Sequence, residues 1–206
     1  MYALVTDNEI TQIITNPKTM VIGDVRYPAK IFQLWSGSEL NAIGIYEVVT
    51  DSSNFKDEKW YINTNESYAF ADNQVTRSWG TATPKAHADT TWTQEDIDDL
   101  DDAGDLTAGD VKTRGLKYNL IRDLKITVAN ILSETDWYIT RNTEKSTAIP
   151  SAISTHRDAV RTKQAEMETA ITNASDTPAL ETLYTYTTDS DGVQSRPLGE
   201  LPTLES

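Results

Sequence analysis

Cysteine is missing from this chain, and histidine and basic residues are scarce. The 206 residues include no cysteine and 2 histidines. Disulfides, thiolate metal sites, cysteine nucleophiles and a three-histidine zinc site within one chain are therefore excluded. Lys and Arg number 18 against 32 Asp and Glu, which gives a formal net charge of -14. Because phosphate groups are bound mainly by Lys and Arg, we expect no nucleic acid and no anionic membrane surface as partner.

Long apolar runs and targeting signals are also lacking. The first residues, MYALVTDNEITQIITNP, contain no basic region and no long apolar stretch, since polar residues interrupt them from Asp7 onward. This pattern is not that of a signal peptide. No stretch of the chain approaches the roughly 18 apolar residues that span a bilayer. The sequence therefore predicts a soluble protein made in a cytoplasm.

Motifs of catalysis and cofactor binding are absent from the sequence as well. It contains no Gly-x-Ser-x-Gly elbow, no phosphate-binding loop and no Gly-x-Gly-x-x-Gly. Ser154 and His156 are two residues apart on a predicted helix, so they point to different faces. No register of the acidic residues fits an EF-hand loop. We expect a non-enzymatic protein without catalytic, cofactor-binding or metal-binding residues, although carboxylate pairs joined only by tertiary structure stay open.

The first part of the chain, residues 1–86, has the pattern of an antiparallel β-rich domain with one short helix. Asp7 and Asn8 lie between two β-branched runs, which is typical of a tight hairpin turn. Alternating aromatic and polar residues over 58–79 predict a meander of three strands. Ser36 and Glu39 have the spacing of a capping box, which predicts a short helix over 39–43 that ends at Gly44.

An acidic linker is predicted over residues 87–110. Eight Asp or Glu residues and no Lys or Arg occur between positions 91 and 110. Thr93 is placed to cap a single helical turn that ends by Leu100. Beyond this turn, repulsion between the carboxylates, together with Gly104 and Gly109, favours a loose linker.

Residues 111–187 have the pattern of a helical domain. Apolar residues recur about every four positions and predict a long helix that ends near Glu134. Pro150 suits the first turn of a second helix, and Asp176 with Pro178 starts a shorter third one. The domain is therefore predicted to be a helical hairpin closed by a third helix. Together with the N-terminal part, this gives an α+β fold class.

An extended C-terminal arm is predicted over residues 188–206. Two prolines exclude a helix near its end, and Leu198, Leu201 and Leu204 recur every three residues. In polyproline II conformation the three leucines share one edge. They are our candidate partner-binding residues, and either they pack back on their own domain or they dock on a neighbouring subunit.

Two segments of the helical domain resemble a known family. Ile131-Leu-Ser-Glu-Thr-Asp-Trp137 is similar to the LL-x-x-TDW segment of bacteriophage tail-assembly-chaperone and tail-fibre-assembly-like proteins. The segment 153–161 resembles the W-x-x-Y-R-x-A-L-R helix of that family and matches it at Arg157, Ala159 and Arg161. The N-terminal part also looks like the opening domain of phage structural proteins. The resemblance implies a phage tail context.

Four residues of these segments are predicted to have structural roles. Trp137 is expected to cover the core between the two long helices. Asp136 is expected to serve as a helix cap or as a salt-bridge partner. Arg157 and Arg161 lie four apart on one helix face, where they are placed to pair with Glu134 and Asp136 and so join the two helices.

Three functions from different classes are compatible with these patterns. The first is a non-enzymatic virion component of the tail, baseplate or fibre attachment site. The second is a soluble assembly chaperone that leaves before maturation, for which an acidic linker suits transient binding of basic segments. The third is a carbohydrate- or receptor-binding module, with a stacking surface of aromatic side chains: Trp35, Trp60, Tyr68 and Trp79.

Of these three functions, we expect the virion component. Its predicted partners are other phage tail or fibre proteins, with homo-oligomerisation left open. Its predicted localisation is the virion tail, and the host cytoplasm during assembly.

Overall fold

The computed structural model describes residues 1–204, so Glu205 and Ser206 of the predicted arm lie outside the described residues. The chain divides into two compact units, Met1–Thr83 and Pro84–Ser206. The first unit is rich in strands and the second is mainly helical. This confirms the predicted α+β fold class. The acidic stretch from the predicted linker falls within the second unit rather than between two bodies.

A five-stranded sheet organises the first unit. The elements of this unit are β1 (Tyr2–Thr6), β2 (Glu9–Ile14), β3 (Met20–Ile22), β4 (Val25–Tyr27), α1 (Ile31–Leu34), α2 (Gly37–Asn41), β5 (Ile45–Thr50), β6 (Tyr61–Ile62), β7 (Ser67–Ala71) and β8 (Gln74–Ser78). The sheet has the strand order β2-β1-β5-β8-β7, and the two short helices precede its central strand β5. Strand β9 (Thr83–Pro84) lies at the boundary between the units.

The first unit differs from the prediction in three respects. It contains two short helices rather than one, and β5 pairs with β8 in parallel, whereas a purely antiparallel domain was expected. The connection from β5 to β8 exceeds the dozen residues that a parallel crossover requires. The predicted three-strand meander is also wrong, because β6 is not part of the five-stranded sheet. The β7–β8 hairpin remains, and it turns through Asp72 and Asn73 with positive φ.

The capping box predicted at the start of α2 is confirmed, whereas the helix ends at Asn41 and not at the predicted Gly44. The backbone N–H of Ser36 donates to Glu39 Oε2 over 2.7 Å, and the Glu39 N–H donates to Ser36 Oγ over 3.3 Å. This capping box starts α2 at Gly37, two residues before the predicted start. Gly44 has φ +81°, and a Cβ there would lie 2.6 Å from the carbonyl oxygen of Val5. Only glycine permits this close approach between β1 and the start of β5.

Apolar side chains cover both faces of the sheet. One cluster joins the sheet to the helix pair and consists of buried Ile14, Ile31, Phe32, Leu40 and Ile45. The other cluster has Ala3, Val5 and Val75 at its centre, with partly buried aromatic side chains around them. Two-sided burial of this kind supports the central strands β1, β5 and β8.

Helices dominate the second unit. Its elements are β10 (Thr90–Thr91), α3 (Gln94–Asp98), β11 (Val111–Thr113), α4 (Leu116–Ser133), α5 (Asp136–Lys145), α6 (Ser151–Asn173), α7 (Thr177–Tyr184), β12 (Thr187–Thr188) and β13 (Gln194–Ser195). The helix α4 packs against α6, as the predicted hairpin requires. The helix α5 replaces a predicted polar loop. It buries none of its residues, so hydrophobic periodicity gave no signal for it.

The acidic stretch is ordered, which corrects the prediction of a loose linker. Strands β10 and β11 pair antiparallel and bracket it. Thr93 and Asp96 form a capping box at the start of α3, and Lys112 forms an ion pair with Asp96. Asp110 accepts the N–H of Thr107 over 2.8 Å. Several carboxylates therefore serve as hydrogen-bond acceptors for nearby backbone, which offsets their mutual repulsion.

The C-terminal arm packs back on its own unit. Leu198 is 3% exposed, and its N–H donates to the carbonyl oxygen of Leu183 over 3.0 Å. Leu201 is half-buried and Leu204 is 44% exposed. Leu204 lines a shallow cavity beside His156 of α6. The three leucines therefore do not form one free edge, and Leu198 is not available to a partner.

Candidate functional site

Arg157 ties together three helices at the centre of the resembling segments. Its Nη1 donates to the carbonyl oxygen of Leu132 and to Thr135 Oγ1, each over 2.6 Å. Its Nη2 lies 2.9 Å from Asp136 Oδ1. The Thr135 hydroxyl in turn donates to the Leu132 carbonyl oxygen over 3.0 Å. The guanidinium on α6 therefore binds the last turn of α4, the break after it and the first residue of α5.

The structure separates the two arginines predicted to act together. The predicted pairing of Arg157 with Asp136 is confirmed. The prediction for Arg161 is wrong, because its Nη1 lies 3.4 Å from Asp158 Oδ1, and that pair is exposed. Arg161 lies four residues further along α6 than Arg157, a rise of about 6 Å along the helix axis. Only Arg157 reaches this junction.

Trp137 is exposed, which corrects the prediction that it covers a two-helix core. Its side chain is 51% exposed. The ring stacks on Tyr138 with centroids 3.8 Å apart, and the Arg141 guanidinium lies 4.7 Å from the Trp137 centroid. We call these three residues the α5 aromatic patch. Trp137 is exposed and Tyr138 and Arg141 are half-buried, and a cluster of Trp, Tyr and Arg has the composition of a protein-binding hot spot.

The outer face of α4 carries a second exposed apolar surface. Tyr118 is 42% exposed and Ile126 is 53% exposed, although both lie on the helix that supplies the core residues Leu124 and Val128. We call this surface the α4 outer stripe. Its residues line an open cavity of about 470 Å³ and are Tyr118, Ile121, Arg122, Lys125, Ile126 and Ala129.

The α4 outer stripe was not predicted, although the sequence contains a signal for it. The buried residues Leu124 and Val128 account for the apolar residues on one side of α4 only. A second set of apolar residues with helical spacing runs from Tyr118 to Ala129. A helix that is apolar on more than one side is expected to have more than one packing partner.

The four aromatic residues proposed as a carbohydrate-stacking surface do not form one. Trp60 is 3% exposed. Trp79 is half-buried between Phe55, at a centroid distance of 4.8 Å, and the guanidinium of Arg77. Tyr68 is half-buried as well, and its hydroxyl donates to a Glu66 carboxylate oxygen over 2.5 Å. Trp35 is also half-buried, and its ring lies beside that of Tyr27.

Shifted carboxyl pKa values occur at turns and helix starts. The backbone N–H of Ser36 lowers the pKa of the Glu39 carboxyl. The N–H of Gly115, and then Arg114, lower the pKa of Asp89. Hydrogen bonds from Lys112, and then from Thr93, hold the pKa of Asp96 well below its ordinary value. These shifts come from hydrogen bonds that fix the backbone, and they are a structural feature.

Candidate metal ligands and membrane spans are absent from the described part of the chain. Among residues 1–204, no three His, Asp or Glu side chains come together in a way that could hold a metal ion. None of the described helices is both long enough and apolar enough to cross a membrane.

No protein-family model, curated protein or solved structure matches this chain. We therefore classify the protein by its fold and its exposed surfaces alone. It is an α+β protein whose helical unit exposes the α5 aromatic patch and the α4 outer stripe.

Proposed function

We propose that this chain is a non-enzymatic structural component of a bacteriophage tail, baseplate or fibre attachment site. The supporting observation is the position of Arg157. It lies in the second segment that resembles the phage family, and its hydrogen bonds end on Leu132, Thr135 and Asp136 in the first segment. Two segments that resemble the family separately in the sequence thus form one structural junction.

The helical unit offers the surface through which such a component binds its partners. The α5 aromatic patch supplies an exposed Trp, a Tyr and an Arg, the side chains most enriched in hot spots of protein interfaces. The α4 outer stripe adds apolar area with cationic groups at its edge. In the proposed role, other tail or fibre proteins bind these two surfaces.

Mass spectrometry of purified particles of the encoding phage tests this proposal. Peptides of this chain are expected at a fixed ratio to the known tail proteins. Cross-links from Lys125, in the α4 outer stripe, are expected to reach another tail protein, while Lys18 in the first unit serves as the comparison lysine. Absence of the chain from washed particles would contradict a role in the virion.

A point variant tests the surface itself. Trp137→Ser is expected to lower incorporation into particles, because it removes the largest exposed ring of the α5 aromatic patch. Tyr186→Ser is the control, since Tyr186 is similarly exposed but lies near the C-terminal arm. Equal incorporation of the two variants would exclude the α5 aromatic patch as a docking surface.

An assembly chaperone is the second candidate function. The observation that favours it is the ordered acidic stretch between β10 and β11. The acidic stretch contains eight Asp or Glu residues, and its two ends are paired as strands β10 and β11. Such a concentration of negative charge suits transient binding to a basic, unassembled fibre segment. This function predicts that the chain is absent from particles, that co-expression raises the yield of soluble fibre, and that salt weakens the complex.

A further inference from the structure

A cavity in the first unit lies where α1 and α2 meet the sheet. Its volume is about 440 Å³, which is within the range of small-ligand sites. Tyr2 on β1 and Glu47 on β5 are directly paired across the sheet and form part of its lining. Gln74, the first residue of β8, and Trp35, which follows α1, also line it. The cavity is therefore built by regular elements of the fold.

The aromatic side chains that line the cavity also pack against the core of the first unit. Tyr2 and Trp35 line the cavity with their rings on the helix side of the sheet, and both are half-buried. The Tyr2 ring packs on Phe32 with centroids 5.0 Å apart, and the edge-on contact between Trp35 and Tyr27 has a centroid distance of 5.8 Å. Rings fixed in this way lose little conformational entropy when a ligand stacks on them.

The polar part of the lining includes amides and one carboxylate. Glu47, Asn73 and Gln74 are exposed at the cavity. Asn73 has φ +57°, because it occupies the tight turn between β7 and β8. Amide groups both donate and accept hydrogen bonds, and the carboxylate accepts them, so together they match a ligand that carries several hydroxyl groups.

Charge narrows the class of ligand further. Among the described residues that line the cavity, none is Lys, Arg or His, and Glu47 is the charged side chain. A phosphate, sulfate or carboxylate ligand would find no cation there and would be repelled by Glu47. A neutral ligand with hydroxyl groups and an apolar face fits the lining best.

We propose that this cavity binds a neutral hexopyranose unit of a glycan. The apolar face of the sugar ring stacks on Trp35 and Tyr2, and its hydroxyl groups hydrogen-bond to Glu47 and Gln74. This site lies in the first unit and is separate from the helical surfaces assigned to tail partners, so each proposal can fail without the other.

A quaternary ammonium ligand is the alternative for this lining, because aromatic rings beside a carboxylate also bind such cations. The amides of Asn73 and Gln74 favour the sugar. A quaternary ammonium group neither donates nor accepts hydrogen bonds, so these amides would lose water without gaining a partner.

Saturation-transfer NMR on the full chain tests the proposal. The probes are glucose, galactose, mannose and N-acetylglucosamine at millimolar concentration, with choline as the comparison ligand. At least one sugar is expected to show saturable transfer, strongest at the protons of its apolar ring face. Saturable binding of choline with no binding of any sugar would overturn the proposal, and so would the absence of binding by all probes.

Matched variants locate the binding site. Gln74→Ala and Glu47→Ala are each expected to weaken sugar binding about fivefold or more, as the loss of one hydrogen bond predicts. Gln33→Ala and Glu9→Ala are the controls, because Gln33 and Glu9 are exposed in the same unit and do not line the cavity. Equal affinities for the variants and their controls would place the sugar elsewhere and overturn the proposal.

The stacking role of Trp35 requires a gentle substitution, since its ring also contacts the core. Trp35→Phe keeps an aromatic ring against Tyr27 and reduces the area available to the sugar. We expect weaker sugar binding in a chain that still unfolds in one cooperative transition. Unchanged sugar affinity in this variant would contradict stacking on Trp35.

Discussion

Arg157 shows what a single buried cation requires from the fold. The residue is 7% exposed, and a charge removed from water to this extent is costly unless it is paired and hydrogen-bonded. The structure supplies a carbonyl oxygen, a hydroxyl and a carboxylate at the α4–α5 junction. The same side chain therefore fixes the angle at which α5 leaves α4.

Replacement of Arg157 by Met is expected to destabilise the protein strongly. The variant removes two hydrogen bonds donated by the guanidinium and its ion pair with Asp136, and hydrogen bonds that involve a charged group contribute about 1.5 to 3 kcal/mol each. We expect the free energy of unfolding to fall by about 2 to 4 kcal/mol, measured by urea denaturation. Arg161→Met is the matched control, and its exposed pair predicts a change below about 1 kcal/mol. Similar losses in both variants would contradict the assigned role of Arg157.

Residue-level predictions succeeded where partners are close in sequence or lie on the two helices of the predicted hairpin. The Ser36–Glu39 capping box and the Asp136–Arg157 pair are confirmed for this reason. The prediction for Trp137 was wrong because residue type alone favours burial. The direction of its side chain depends on where α5 starts, and α5 had no periodic signal in the sequence.

At the scale of elements, the turn from α2 into β5 depends on one glycine. Gly44 has φ +81°, and its carbonyl oxygen accepts the N–H of Val5 over 2.8 Å. The backbones of β1 and this turn therefore approach closely, and the approach leaves no room for a side chain at position 44.

Replacement of Gly44 by Ala is expected to cost at least about 2 kcal/mol of stability, from the left-handed conformation together with the clash with Val5. Gly37→Ala is the control. A Cβ at Gly37 meets nothing within 4 Å, and alanine is favoured in a helix, so its stability should stay level or rise by about 0.5 kcal/mol. Chemical denaturation of both variants measures the difference, and an equal response would contradict the close-approach argument.

In the acidic stretch, the contacts of Asp96 depend on pH in a direction that the structure gives. Asp96 accepts hydrogen bonds from Thr93 and pairs with Lys112, and its pKa is lowered as a result. A lowered pKa in the folded state means that these contacts contribute fully above the unfolded pKa, about 3.9. Their contribution is lost as the pH falls below that value toward the lower folded pKa.

We therefore expect α3 to be unchanged between about pH 5 and 8 and to loosen only below about pH 4. The amide chemical shift of Thr93, followed by NMR, reports this change. Asp96→Asn should give at neutral pH the Thr93 shift that the unmodified chain reaches only in acid. Asp98→Asn is the control, because its carboxylate accepts from the Gln94 side chain instead. Loosening of α3 near neutral pH would contradict this prediction.

At the scale of the whole molecule, each unit has its own core. Ile45 and Val75 are fully buried in the first unit, and Val160, Ile171 and Leu180 are fully buried in the second. Each unit is also within the size range in which single domains fold alone. The two units therefore have the features of independent folding units.

Separate expression of residues 1–83 and 84–206 tests this independence. Each fragment is expected to show a cooperative unfolding transition, because each keeps its buried core. The sum of the two far-ultraviolet circular dichroism spectra should equal the spectrum of the full chain. An unfolded fragment of either kind would show that the units depend on each other for stability.

The distribution of net charge also belongs to this scale. A quarter of the 32 acidic residues lie between positions 91 and 110, with no basic residue among them. The position of this concentration was read correctly from the sequence, but the inference of a loose linker was wrong. Side-chain caps, the Lys112 ion pair and a strand pair give the segment an ordered path.

The sequence by itself determined the α+β class, the tight turns, the caps and the main helices α4 and α6. These features depend on residues near each other along the chain, through periodicity, positive φ and local hydrogen bonds. Tertiary structure alone decided the parallel pairing of β5 with β8, the exposure of Trp137, the burial of Leu198 and the cavity beside Trp35 and Glu47. Each of these depends on packing between residues far apart in sequence, which local preferences do not specify.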